Sequence, residues 1–330
     1  MLTTFGTPGR RKEGTHPQKD AVRPKRGARG PDVSKTTAMA AGAEMMVVDQ
    51  TLFDSPLVQV GRFRCPASAP DFETASSPVE HYCFVFPRVA VSIEHEGRPA
   101  FVADPNTIPV YNAGRAFWRR HVRGGDDRSD WFGVAPGVLR EMLAERDRRA
   151  PDDEDPFKFG WTPADAQVYL AQRQIYNYVR DTAEPDRLFV EEGVITMASR
   201  ILAAAYRADG TPDGARLSAE RRLLVERTRE QLATSYATNL SLDRLARDVG
   251  ASVFHLCRVF KAQTGSTIHQ YRTQLRIRHS LELLETKPGD ILSTAIDLGF
   301  SGHSHYTRTF HESFGIAPSA FTGALAGYKR

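Results

Sequence analysis

The sequence predicts an α+β fold in which an antiparallel β unit with packed helices precedes an all-α unit built from two helix-turn-helix motifs. Three observations carry this expectation. Short runs rich in β-branched and aromatic residues, broken by Pro, Gly, Asn and Asp, fill the stretch from Leu52 to about Val134. From Pro136 onward the apolar residues recur at helical spacing. In the last third one pattern occurs twice: Ala246, Val249 and Gly250 with a later Phe260 and Gly265, then Ala295, Leu298 and Gly299 with a later Phe310 and Gly315. Each copy reads as a short helix, a glycine turn and a second helix.

The bulk properties bound the class. A chain of 330 residues has room for two domains and linkers. No apolar run approaches the roughly 20 residues needed to span a bilayer, and the N-terminus lacks an apolar signal core. Three widely spaced cysteines, Cys65, Cys83 and Cys257, argue for a reducing, cytoplasmic setting and against a disulfide framework. The net charge of +4 is weak support for a nucleic-acid partner.

Residues 1–45 are rich in Gly, Pro, Lys and Arg and are expected to be a disordered basic tail. They read as a DNA-holding arm, or as an inert tail, or as the product of an upstream start with Met39, Met45 or Met46 as the true beginning. Residues 46–208 form the expected β unit and its helices. Strands are predicted around Cys83–Phe86, Val89–Ile93, Ala100–Ala103 and Ile108–Tyr111, giving a small sandwich or barrel wide enough for a small molecule. Three helices follow. Their apolar faces carry Val138, Leu139, Met142 and Leu143; then Val168, Tyr169, Gln172, Ile175, Tyr176 and Val179; then Leu188, Val190, Val194, Met197, Ile201 and Leu202. The run Asp209-Gly-Thr-Pro-Asp-Gly214 marks a linker over 209–217.

Residues 218–330 form the predicted double helix-turn-helix unit. Ser218 is a plausible N-cap, with Leu223, Leu224, Leu232 and Tyr236 available for a core. Ser241 caps a helix whose buried face is Leu242, Leu245, Ala246 and Val249. Gly250 permits a left-handed turn. Ser252 then caps a candidate recognition helix, Val253–Thr264. Leu256, Val259 and Phe260 face inward, which leaves Phe254, Cys257, Arg258 and Lys261 outward. A long helix from about Thr267 to Glu285 is the expected spacer. In the second copy Gly299 makes the turn, Tyr306 and Phe310 face inward, and His303, Ser304, His305 and Arg308 face out from the first turns of the second helix. Those are the positions that meet base edges when such a helix lies in the major groove. An Arg there pairs with guanine for about 1–3 kcal/mol of discrimination. This half carries fifteen Lys and Arg against ten Asp and Glu, which favours phosphate. Leu, Val and Phe at core spacing would equally suit a helical domain without DNA contacts; the outward Arg258, His303 and Arg308 favour DNA.

The runs Leu242–Gly250, Leu256–Lys261, Ile296–Phe300, Tyr306–Phe310 and Phe314–Ser319, with the tail Gly315-Ile-Ala-Pro318 before Phe321, closely resemble the C-terminal domain of AraC/XylS transcription regulators. The resemblance covers about a hundred residues. It implies two helix-turn-helix units set in successive major-groove segments of double-stranded DNA, and a regulator that often activates by touching RNA polymerase. Carried over by position, the base readers are Phe254, Cys257 and Arg258 in the first unit and His303, Ser304, His305 and Arg308 in the second. Many relatives have Arg where Phe254 stands, so here the first unit reads a thymine methyl or supplies fit. The resemblance further implies an N-terminal cupin-like barrel that binds a small-molecule effector or mediates homodimerisation.

One cluster in the β half suggests chemistry. His81 and Cys83 are two apart on an expected strand, and Cys65 and His95 are candidates to join them in a zinc-type set, although the spacing matches no known finger or ribbon. Packed core is the commoner fate of such residues, and no cofactor or metal is assigned. His81 with Glu80, or His95 with Glu94 and Glu96, hints at the alternative function, a metal-dependent cupin enzyme that regulates its own expression. No phosphate loop, nucleophile elbow or HExxH occurs, and the fused DNA-reading unit makes a non-enzymatic sensor the preferred reading. A constitutive DNA-binding protein whose N-terminal half only dimerises is the third.

Overall fold

A computed structural model of the chain describes residues 46–76, 79, 81–145, 155–207 and 218–328. The expected basic tail and the expected linker at 209–217 lie outside the described residues. The described residues belong to one compact unit.

Nine strands build the β half: β1 (Val48–Asp54), β2 (Val58–Cys65), β3 (Tyr82–Pro87), β4 (Val91–His95), β5 (Phe101–Ala103), β6 (Thr107–Tyr111), β7 (Phe117–His121), β8 (Asp127–Val134) and β9 (Trp161–Pro163). They make two antiparallel sheets, one of six strands in the order β1-β2-β8-β3-β6-β9 and one of three in the order β5-β4-β7. Among the described residues no hydrogen-bonded ladder joins the two sheets. The period-two alternation of β3 shows how they stack. Cys83 enters the core between the sheets with Cys65, Val91, Ile93, Phe101, Tyr111 and Trp161. Its neighbours Phe84 and Phe86 face the opposite way, into a second core with Val60, Val110 and Phe132. The space between the sheets is occupied by stacked and edge-on rings: His95 lies 4.7 Å from Tyr111, Phe101 lies 5.9 Å from Trp161, and Tyr111 lies 4.7 Å from Phe117.

Three helices, α1 (Pro136–Ala144), α2 (Ala166–Asp181) and α3 (Arg187–Arg207), cover the second core. The expected buried faces hold, with two exceptions: Val138 is only half-buried and Leu188 is 72% exposed in the first turn of α3. Asp165 caps α2 by accepting from the backbone N–H groups of Gln167 and Val168.

The helical half comprises α4 (Ala219–Ser235), α5 (Leu242–Val249), α6 (Val253–Thr264), α7 (Ile268–Thr286), α8 (Ile291–Asp297), α9 (His303–Phe314) and α10 (Pro318–Tyr328). The predicted caps form: Ser218, Ser241 and Ser252 accept from the backbone N–H of Arg221, Arg244 and His255. Leu223 and Leu242, expected inside, are exposed, because Leu224 with Val225 and Leu245 with Ala246 already fill those faces. The first motif owns a separate core of Leu232, Leu245, Val249, Leu256, Phe260, Tyr271 and Leu275. The second does not. Tyr306, Phe310, Phe314 and Phe321 merge with the core under α2 and α3. The ring of Tyr328 stands edge-on to Tyr178, and the Gln167 side chain donates to the Ser313 carbonyl.

Candidate nucleic-acid interface

Each motif turns at a left-handed glycine. Gly250 has φ 74° and Gly299 has φ 75°. The second position is further constrained, since a Cβ there would sit 2.2 Å from the Ala237 carbonyl oxygen. This close approach lets Arg276, on the spacer helix α7, hold both motifs. Its Nε donates to the Tyr236 carbonyl (2.6 Å), one terminal nitrogen to the Gly299 carbonyl (2.8 Å) and the other to the Thr238 carbonyl (3.4 Å). Burial, reinforced by the charge of Arg272, pushes its guanidinium down to about 10. Arg276 was hidden from sequence reasoning because a cation on a spacer helix reads as surface. Its place four residues before Ser280 on the buried face was the available signal.

The first candidate helix, α6, leaves Phe254 79% exposed. Arg258 and Lys261 are exposed and Cys257 is half-buried. Leu256, Val259 and Phe260 are buried on its other side. The second, α9, buries Tyr306, Phe310 and Phe314 and exposes His303, Ser304, His305 and Arg308. His305 is positioned from two sides: its Nδ1 is 3.0 Å from the Ser301 hydroxyl, and its ring meets Phe300 edge-on. Arg308 lies 4.0 Å from Glu312 one turn on, with both side chains largely in solvent. An exposed pair of that kind is worth at most about 1 kcal/mol. The guanidinium is therefore cheaply released to a better acceptor. No side chain caps the first turn of α9, so its leading N–H groups stay open to an anion.

The charge count of this half needs reinterpretation. Arg229, Arg276 and Arg278 are buried, and their hydrogen bonds run inside the protein. They add nothing to phosphate attraction at the surface.

The suggested Cys/His set does not assemble. Cys65 lies at the end of β2 opposite Asp127, Cys83 on β3 opposite Tyr111 and Gly133, and His95 against the rings of Tyr111 and Phe101. His81 precedes β3 instead of sharing its alternation, and Glu80 lies outside the described residues. Glu94 is engaged by Arg120 at 3.0 Å. Burial pushes the Cys83 thiol up to about 12, with Asp49 adding to the effect, so it stays protonated. Among the described residues no three His, Cys, Asp or Glu side chains are gathered to hold a metal. The physical reason is packing: aromatic rings take up the space into which such ligands would have to converge.

Comparison with known proteins agrees with the geometry of the last third. The profile of a helix-turn-helix domain family matches residues 245–324. The probable transcription factor PqrA of Proteus vulgaris is 33% identical over 82 residues, which are 25% of this chain and 67% of that protein. The HTH-type transcriptional activator RhaR of Klebsiella pneumoniae is 25% identical over 189 residues, 57% of this chain and 62% of the relative. The Salmonella dublin RhaR is 31% identical over 114 residues, 34% of this chain and 39% of the relative. The chain thus spans less than two thirds of these RhaR proteins. Among solved structures, an AraC-type DNA-binding regulator from Chromobacterium violaceum aligns at 26% identity and TM-score 0.31, covering 33% of this chain and 97% of that one. ToxT of Vibrio cholerae O395 aligns at 11% identity and TM-score 0.33, covering 83% and 100%.

Proposed function

Because the chain belongs to the AraC family of helix-turn-helix transcriptional regulators, we propose that it binds a specific double-stranded DNA site through α6 and α9 and activates transcription in response to a small-molecule effector. The observation that carries this reading is the left-handed glycine turn followed by a helix with an exposed face, repeated on either side of α7. In this reading Phe254, Cys257, Arg258 and Lys261 face one major-groove segment. His303, Ser304, His305 and Arg308 face the next, about 34 Å along the duplex. Phe254, exposed and apolar, suits a thymine methyl, and Arg308 suits guanine. The β half, a cupin-like sandwich in this proposal, senses the effector and pairs two copies of the chain. RNA polymerase is the partner through which activation acts.

The metal-dependent enzyme alternative finds no gathered donor set among the described residues, and the family is one of transcription factors. Among the described residues no helix is long and apolar enough to cross a membrane.

Footprinting on a genomic site should show two protected groove segments one helical turn apart. Arg308→Ala should weaken the specific site by roughly tenfold or more while sparing random DNA. Equal loss on both would reduce Arg308 to a phosphate contact, and a single protected segment would remove the two-groove reading.

A further inference from the structure

The two motifs carry a histidine at the same point, three residues after the position that caps the second helix, and each has a serine nearby that it uses differently. In the first motif Ser252 is the N-cap of α6, and its hydroxyl accepts from the backbone N–H of His255, the residue before buried Leu256. In the second motif Gly302 holds the cap position of α9 and has no side chain to accept with. Ser301 stands one residue earlier, and its hydroxyl meets the ring of His305 instead, 3.0 Å from Nδ1. Phe300 fixes that ring from another side, with centroids 5.3 Å apart at 84°. Phe300 is itself anchored: it is buried, packs on Tyr306 at 5.4 Å and lies under the Arg276 guanidinium at 5.7 Å. His305 is otherwise exposed, so Nε2 is the nitrogen it offers to a ligand, on a ring oriented in advance.

We propose that Ser301 is a positioning residue that holds His305 as a committed hydrogen-bond donor, and that His305 thereby selects a guanine. The inference rests on the DNA-reading proposal above and deepens it by giving one contact its polarity and its base. The sign follows from the end of the helix. No side chain caps the first turn of α9, so its free N–H groups leave a positive end beside Ser301. That end draws the hydroxyl oxygen and turns its hydrogen outward, to the Nδ1 lone pair. The proton of the neutral ring then sits on Nε2.

An N–H donor on the major-groove face finds its match in guanine, whose N7 and O6 acceptors lie side by side. Adenine sets an amino group beside its N7, cytosine offers an amino donor, and thymine offers one acceptor beside a methyl group. Without the Ser301 hydroxyl the ring is free to flip and to exchange tautomers, so Nε2 no longer presents a single polarity.

In the test, the full chain selects its own site from a randomised duplex pool, and each guanine of that site is replaced in turn by 7-deazaguanine, which lacks the N7 acceptor. At one guanine the replacement should cost wild type about tenfold in affinity and cost His305→Ala nothing. Ser301→Ala should bind the intact site roughly fivefold more weakly and lose most of its dependence on that N7, while its binding to random DNA is unchanged. Ser301→Thr, which keeps the hydroxyl, should restore both. Imidazole nitrogen NMR of the free full chain adds a readout that loss of stability would not produce. The His305 signals, assigned by their absence in His305→Ala, should show the proton on Nε2 and Nδ1 accepting a hydrogen bond, and the Nδ1 signal should move in Ser301→Ala. Circular dichroism confirms that each variant folds. A proton on Nδ1 in wild type, or identical ring signals in Ser301→Ala, overturns the proposal. A selected site with no guanine that depends on His305 sinks this assignment alone, whereas failure of wild type to select any site sinks the regulator and the assignment with it.

Discussion

Asp127 shows what burial does to a single charge in the β half. It begins β8, is 5% exposed, and has Arg119 3.7 Å away as its ion-pair partner. Burial pushes its carboxyl up to about 6, and Arg119 only partly opposes the shift. The folded value thus lies above that of the unfolded chain. The stability this group contributes is complete below about pH 4 and is lost as the pH rises through about 6. Asp127→Asn should mimic the protonated form. Its stability advantage over wild type should grow from nearly nothing at pH 4 to on the order of 2–3 kcal/mol at pH 7 in urea unfolding. Parallel stability curves for the two proteins would show that the carboxyl ionises normally. The residue scale also holds the proposed base contacts. Phe254 and Arg308 contribute little to the fold, so their substitution should register in DNA binding and not in stability.

Among the elements, the two turns look identical in sequence and differ in the folded chain. Gly250 needs only its left-handed φ, with open space where a Cβ would go. Gly299 needs the same φ and also the absent side chain, because the Ala237 carbonyl and Arg276 press against it. Gly250→Ala should therefore cost about 1 kcal/mol. Gly299→Ala should cost about 3 kcal/mol or more, since either the carbonyl or the Arg276 bonds must give way. Thermal unfolding of the two variants checks this; equal losses would mean that the second turn relaxes freely. The repeat was legible because caps and glycines act locally. The inequality was not, because Ala237 and Arg276 come from distant parts of the chain.

At the scale of the whole molecule, α7 is held from several directions. Tyr271 donates to Asp104, and Arg278 donates to Asn106 and to the Ala164 carbonyl (2.6 Å). Glu285 receives Arg173 and Asn177. Arg88, Arg173 and Arg180 all lie over the ring of Tyr176. Burial acts to raise the Glu285 carboxyl, but Arg173 outweighs it and leaves it below the ordinary value. Arg173 is 2% exposed and Asp130 1%. Arg173→Met would take the most buried cation from two buried carboxylates, leaving Asp130 with Arg88 and Glu285 with Arg180 and Asn177, and should cost about 3 kcal/mol, of which Arg173→Met with Glu285→Leu recovers part. Denaturant midpoints for the single and double variants decide this. No loss in the single variant would show that water already reaches the cluster.

The sequence alone determined what local physics encodes: strands from period-two runs between turn residues, helix starts from Ser caps, two left-handed glycines, and which faces of α6 and α9 stay outside. Family membership follows from that same local grammar. Only the tertiary structure decided which charges are structural. Arg229, Arg276 and Arg278 read as surface cations until the Trp161 ring and the Tyr236 and Ala164 carbonyls, far away in the sequence, enclosed them. It likewise decided that the Cys and His of the β half remain apart and that the second motif shares its core with α2 and α3. The reason is range. Periodicity and capping depend on neighbours a few residues away, whereas a buried ion pair depends on partners more than a hundred residues distant, as Arg173 and Glu285 are.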